Sequence, residues 1–385
     1  MPIYTRKGNI PRKRHTQFLK EDGSLYYEEH ISREGFSFDY SNVYHIMMPT
    51  RISSIGLFSP FGDHSNPTKH RARHLKTGNL ELSGDAIQSR YLVCYNDDIL
   101  IYKSHTDKNM EYLYRSGHFD ELYYVQDGEG TVRTNFGNLE YKKGDYLVLP
   151  RGVIYKIKIN NPSKFLIIES KSPIEIPSKY RSRNGQLLEH APFCERDIIL
   201  PNFIDPINKE IETLVKVRIN SGIQEYFYKN HPFDIVGYDG YYYPWKLNIN
   251  DFEPITGSIH QPPPVHQTFS ASGFVICSFV SRIFDYHPDS IPAPYPHSNL
   301  DSDELIFYSM GDFMSRRGIE VESITYHPMG LPHGPQPGKY EESIGKHKTE
   351  ELAVMIDTFS PINFILNEQS KEIDDYQYPL SWAKE

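Results

Sequence analysis

From about residue 91 onward, apolar residues fall into short β-prone runs separated by polar turns: 91–95, 99–103, 121–126, 146–149, 155–159 and 165–169. Glycine-bearing turns stand between several of them, as at Asp127-Gly128-Glu129-Gly130 and Asn135-Phe136-Gly137-Asn138. Runs of this kind, bounded by such turns, predict a meander of antiparallel strands. Residues 175 to about 230 interrupt the texture with polar and proline-containing sequence and one helix-like stretch, 208–217. Strand texture returns at 273–284, a nearly continuous apolar run suited to a buried strand, and goes on through 304–308, 321–326 and 351–359. Residues 1 to about 90 are polar and turn-rich and show no readable period.

One unit occurs twice. Asp120-Glu121-Leu122 and Asp303-Glu304-Leu305 each open an apolar strand, and each is followed by a glycine seven residues after the glutamate, Gly128 and Gly311. Downstream come Pro150-Arg151-Gly152, ending at Tyr155, and Pro328-Met329-Gly330, ending at His333. Duplication of one supersecondary unit explains this order better than chance.

Composition narrows the class. Aromatic residues make up 14% of the chain, with 29 Tyr, 21 Phe, 28 Pro and 25 Gly, which suits short strands and turns. A formal net charge of -9 does not suit a nucleic-acid binder, whose partner demands clustered cations. The basic runs Arg12-Lys13-Arg14-His15 and 69–76 read as solvated loop surface, with His64, His70 and His74 on it. Cys94, Cys194 and Cys277 are too far apart for a disulfide framework or a CxxC zinc site. The N-terminus has no apolar core like a signal peptide's, and no run reaches membrane-helix length, so the chain reads as cytoplasmic.

The order glutamate, glycine, Pro-x-Gly resembles the cupin pattern. In that pattern a histidine and a glutamate form a first motif and Pro-x-Gly-x-x-His a second. The resemblance implies a mainly β fold: two jelly-roll barrels, an N-terminal extension and few short helices. The expected division is an N-terminal domain, 1–250, with a barrel at about 91–170, and a C-terminal barrel, 251–385. The copies differ in chemistry. The second has His297, Glu304 and His333; the first has Tyr114, Glu121 and Tyr155 in the same places. Neutral phenols are poor ligands, so the first barrel is expected to be metal-free scaffold, with His118 the one residue against that. Two imidazoles and one carboxylate leave half of an octahedral iron open for substrate and oxygen. An odd separation on a straight strand would put His297 and Glu304 on opposite faces, so a bend is expected at 298–303. Asp303 is a candidate to orient an imidazole.

A narrower resemblance runs from His231 to Pro335. Pro232-Phe233-Asp234-Ile235-Val236, Ile259-His260 with the following 261–269, Tyr295-Pro296-His297-x-Asn299 and Pro332-His333-Gly334-Pro335 are similar, in that order, to homogentisate 1,2-dioxygenases, in a short bacterial branch. The resemblance implies that His297, Glu304 and His333 hold Fe(2+), that His260 is the general base, and that Tyr295, His327 and His333 contact substrate. The substrate would be homogentisate, bound through an ionised ring hydroxyl and its acetate carboxylate. Cleavage with O2 to 4-maleylacetoacetate would belong to tyrosine and phenylalanine catabolism. It also implies a homo-oligomer, trimers pairing into hexamers, while charge and hydropathy predict no nucleic-acid or membrane partner. Phe313 stands where the family has a substrate-binding tyrosine, and His266 can either line the pocket or pack. Gentisate or a related acid is an alternative substrate, and a metal-dependent cupin isomerase or a non-enzymatic cupin are alternative functions. For the isomerase, Arg316 and Arg317 form the only basic pair near the metal motif.

Overall fold

The computed structural model describes residues 10–34, 36–45, 69–205, 207, 209, 211–229, 231–233, 242–311, 313–365 and 367–383. The chain divides into two compact units. One takes Glu81–Phe252 with Phe269–Gly273; the other takes Glu253–Thr268, Phe274–Glu385 and the residues up to Leu80. The start of the chain goes with the second barrel through strand pairing. That segment gives β1 (Tyr27–Glu34), β2 (Ser37–His45) and β3 (Arg73–Leu75). Pairing partners so distant in sequence leave no local signature, which is why the stretch looked structureless.

The first barrel runs through β4 (Arg90–Tyr95), β5 (Ile99–Thr106), β6 (Leu113–Ser116), β7 (Asp120–Asp127), β8 (Gly130–Thr134), β9 (Gly137–Tyr141), β10 (Asp145–Leu149), β11 (Ile154–Ile159) and β12 (Ser163–Ser170). It continues with β13 (Thr213–Ile219), β14 (Gly222–Tyr228) and β15 (Trp245–Asn248). One sheet has the order β15-β10-β7-β12-β5-β4, the other β14-β13-β6-β11-β8-β9. Their inner faces share one core that includes Tyr123, Leu147 and Phe165 from the first sheet and Val132, Tyr155 and Ile157 from the second. Burying each large apolar side chain contributes roughly 1.5–3 kcal/mol, which binds the two sheets into a sandwich. The helix expected at 208–217 is not formed. Its second half is β13, where Thr-Leu-Val-Lys-Val-Arg-Ile puts Val215 into a core with Leu113, Ile154 and Phe233. β-branched residues with a neighbouring strand to pair with outweigh a weak helical propensity.

The second barrel adds β16 (Gln267–Ser270), β17 (Phe274–Phe279), β18 (Arg282–Ile283), β19 (His297–Asn299), β20 (Asp303–Met310), β21 (Ile324–His327), β22 (Lys348–Thr349) and β23 (Leu352–Thr358). Its main sheet has the order β3-β21-β20-β23-β17-β16, strand for strand the order of the first barrel's first sheet. A smaller sheet, β19-β1-β2, carries His297, with β1 parallel to β19. The duplication read from the sequence is therefore a duplication of topology. Only two short α-helices occur among the described residues, Lys339–Ser343 and Glu368–Ile373. No helix there is long and apolar enough to cross a membrane, and the three cysteines are free.

The basic run at 69–76 is not solvated surface. Arg71 and Arg73 are buried on Asp374, Arg71 at 2.6 Å, and Arg73 lies over the Phe364 ring. His74 is buried with its Nε2 2.9 Å from Ser323 Oγ, His15 is buried too, and His70 is exposed as read. Pairing of β3 with β21 carries these cations inward, and Asp374 compensates them. His64, and Asp234 to Tyr241 of the family signature, lie outside the described residues.

Candidate metal centre and substrate cavity

His297, Glu304 and His333 are buried together, with one ligand atom from each lying within 4.8 Å of the others. His297 stands on β19 in the smaller sheet, Glu304 on β20 in the larger one. The chain bends at 300–302 between them, and this bend overcomes the odd spacing. His333 is held opposite His297 by two backbone hydrogen bonds of 2.7 and 2.8 Å. The first copy repeats this: Tyr155 pairs with Tyr114 across β11 and β6.

Each imidazole is oriented by its own main chain. His297 Nδ1 lies 3.3 Å from the Tyr295 carbonyl and His333 Nδ1 3.1 Å from that of Leu331. A carbonyl only accepts, so Nδ1 carries the proton and the Nε2 lone pair is left for a ligand. His297 Nε2 is 3.4 Å and His333 Nε2 3.5 Å from Glu304, and the buried His333 Nε2 has no hydrogen-bond partner. Burial pushes the His297 imidazole down to about 4, so it is neutral at working pH. Burial alone would raise Glu304, but the electrostatic pull of nearby His333 and the hydrogen bonds of His297 and His327 hold it well below the usual carboxylate range. Two imidazoles that present Nε2 and one carboxylate, all inward, fit a divalent cation.

Behind the carboxylate stands His327, whose Nδ1 is 2.8 Å from Glu304 Oε1 and whose Nε2 is 3.0 Å from the Tyr378 hydroxyl. It is fully buried and stacks on His333, with ring centroids 4.6 Å apart. Asp303 orients no imidazole. It accepts the Met329 N–H at 2.8 Å, that of Ile362 at 2.8 Å and the Tyr326 hydroxyl at 3.0 Å. In the first copy Asp120 does the same for Arg151, so this aspartate's role in both is to tie down the Pro-x-Gly turn. Gly330 and Gly152 in those turns have φ of +78° and +87°, which other residues adopt only with strain.

A cavity of about 110 Å³ lies against His297 and Glu304. Its wall includes His260, His266, Phe36, Arg282, Phe313 and Glu304.

A family model described as the N-terminal part of homogentisate 1,2-dioxygenase matches residues 63–249. A Saccharolobus solfataricus protein whose name reads "Putative dioxygenase" is 42% identical over 99% of both chains. Homogentisate 1,2-dioxygenases of Bradyrhizobium diazoefficiens and Emericella nidulans are 25% and 23% identical, over 65% and 86% of this chain and 60% and 70% of their own lengths.

The chain belongs to the homogentisate dioxygenase family.

Of the residues that family resemblance singles out, His260 is in the cavity wall. Asp285 is 3.7 Å from its Nδ1, and its ring lies 4.3 Å from that of His15 and 5.0 Å from that of Tyr295. Burial first, then the His15 and Arg282 charges, lowers its pKa well below 6.5. Tyr295 packs edge-on to His15 and His260, and its backbone carbonyl orients His297. Neither Tyr295 nor His327 lines the cavity; both stand one layer behind it. His266 does line it, and burial pushes its pKa down to about 3. Phe313 packs edge-on against Tyr308 at 4.3 Å and offers the cavity no hydroxyl. Sequence reading missed His15, ahead of β1, and His30 on β1, which pack on Tyr295, and Phe36, between β1 and β2, which packs on His297.

In the first barrel the equivalent positions hold a buried ion-pair network. Glu121 points inward, but the Arg90 guanidinium sits among the equivalent side chains. It lies 2.7 Å from Glu121 and 2.7 Å from Glu169, and it also donates to the Tyr123 hydroxyl. Tyr155 donates to Glu121 at 2.9 Å, and Arg218 gives Glu169 a second cation at 3.2 Å. His118 is outside, exposed, accepting from the Asn220 N–H. A glutamate retained without histidines signals that a cation is needed, but nothing in the sequence points to residue 90.

Proposed function

We propose that this chain is a ferrous-iron dioxygenase that opens the ring of homogentisate with O2 to give 4-maleylacetoacetate. The single observation that carries this is the buried His297/Glu304/His333 cluster, both imidazole lone pairs inward, at the head of an aromatic-walled cavity. Held there, Fe(2+) would supply coordination sites for the ring hydroxyl and dioxygen and lower the hydroxyl's pKa. His297 and His333 are fixed in rotamer by their carbonyl partners, and His327 fixes the Glu304 carboxylate from behind. The His260 imidazole takes the hydroxyl proton, and Asp285 beside its Nδ1 steadies the cation that results. Phe36, Phe279, Phe284 and Met355 keep water from the reacting ring.

Anaerobic loading with Fe(2+), then oxygen and homogentisate, tests the reading through the ultraviolet absorbance of the ring-opened product. Homogentisate should turn over at least about tenfold better in kcat/KM than gentisate, a discrimination of about 1.4 kcal/mol. Faster turnover of gentisate transfers the assignment to that acid, and no oxygen uptake with either removes the dioxygenase reading. The isomerase alternative finds no support, since Arg317 pairs with Glu342 at 2.6 Å and Arg316 is buried against the Gly334 carbonyl.

His260 gives a pH prediction. A base works when neutral, and a lowered pKa keeps it neutral at more acid pH. The acid limb of kcat/KM should therefore lie below 6.5, the ordinary histidine value. His260→Gln should remove that limb and lower kcat by about 10²–10⁴. A profile that keeps its limb in the variant assigns the proton transfer elsewhere.

A further inference from the structure

Arg282 opens the short strand β18 and lines the same cavity as His260, His266, His297 and Glu304. Among the described residues, no carboxylate is in ion-pair contact with it. Its guanidinium reaches the Ile283 carbonyl, at 3.4 Å, and the Phe284 ring, 5.6 Å away. Asp285 and Glu351 attract it without touching it. Asp285 is engaged elsewhere, accepting the N–H groups of Gly257 and Gln261 at 3.1 Å each and so holding the loop that presents His260. Glu351 is pushed above the ordinary carboxylate range by burial, which favours its neutral form. The other cavity arginine, Arg316, donates to the Gly334 carbonyl and lies over Trp382 at 5.3 Å. Arg282 is thus a cation set in a largely apolar wall, without a fixed counter-charge. Such a group costs free energy unless an anion joins it.

Its field lies where a substrate would be. After burial, Arg282 is the next cause of the low pKa of His266, and it also acts on His260. A guanidinium stays charged at any working pH, and its planar fork matches a carboxylate with two parallel hydrogen bonds. Phe313, where the family resemblance puts a tyrosine, brings no hydroxyl that could hold an acid group. A carboxylate has two oxygens, so contact with a metal still leaves one for the guanidinium.

We propose that Arg282 is the carboxylate anchor of the cavity, the positioning residue that selects aromatic acids over neutral phenols. The identity of the acid rests on the dioxygenase reading; the anchor itself is a statement about binding. In a site of this kind, loss of a charge-assisted pair leaves the acid group desolvated and unpaired, whereas an uncharged analogue loses nothing.

The test is anaerobic calorimetric titration of the iron-loaded protein with homogentisate and, separately, with its methyl ester. Arg282→Gln should weaken homogentisate by about 10- to 100-fold, as expected for a hydrogen-bonded charge, and leave the ester within about twofold. Arg282→Lys should recover part of the loss, and steady-state assays should show the effect in KM more than in kcat. Iron content and unfolding temperature of both variants check that they fold. Equal weakening of acid and ester, or no weakening of either, overturns the anchor. If the parent protein binds the acid selectively through Arg282 yet consumes none of it, the anchor stands and the dioxygenase reading falls.

Discussion

His333→Ala should bring iron content close to zero and abolish turnover, while the protein still unfolds cooperatively near the parent temperature. Two physical facts separate these outcomes. The fold at this point depends on the backbone pair between residues 297 and 333, which alanine retains. Metal affinity depends on the Nε2 lone pair, which alanine removes and no neighbouring atom replaces. Loss of an outer partner typically costs about 10- to 100-fold in metal affinity, and loss of a ligand should exceed that. His327→Ala is the natural comparison. It should fall inside that range, because His327 touches the Glu304 carboxylate from behind. Iron analysis beside melting curves decides the matter. A His333→Ala protein that still carries one iron per chain would remove the metal assignment altogether.

Arg90→Met should destabilise the first barrel by about 3–5 kcal/mol, the range for stripping one partner from a buried ion pair. Glu121 would then be left with the Tyr155 hydroxyl as its side-chain donor, and Glu169 with Arg218 as its remaining cation. Burial would depress the Arg90 guanidinium, but the phenols and glutamate around it more than offset this and hold its pKa well above the ordinary value. It is therefore a permanent charge, and methionine fills its space without its function. The double variant Arg90→Met, Glu121→Gln should be less destabilised than the single one, since it removes the stranded carboxylate along with the cation. Urea denaturation compares the three proteins. An Arg90→Met midpoint equal to the parent's would show that the network contributes no stability there.

The second barrel meets the same problem differently. Glu304 has Asp357 as its cross-strand neighbour, as Glu121 has Glu169. Among the described residues no arginine pairs with either carboxylate, and burial, then Glu304, pushes the Asp357 carboxyl well above the ordinary carboxylate range. One architecture thus carries its inner carboxylates either with a built-in guanidinium or with histidines that leave room for a metal.

Much of this was legible in the chain itself. Short β-prone runs between glycine turns mark β4, β5, β7, β10, β11, β12, β20 and β23 to within a few residues, because a strand's pattern is set by neighbours two positions apart. The repeat was legible too, since duplicated glutamates, glycines and Pro-x-Gly turns occupy fixed offsets, and with it the trio His297, Glu304 and His333 that the fold brings together.

Tertiary structure alone decided which side chains meet. That β1 lies beside β19, that β3 closes the second barrel, that Arg90 reaches Glu121 and that Arg282 faces the triad's cavity depend on sheets packing across long stretches of sequence. Such contacts are selected by the burial of shared faces and the compensation of buried charge. Neither leaves a period or a spacing in the residues nearby.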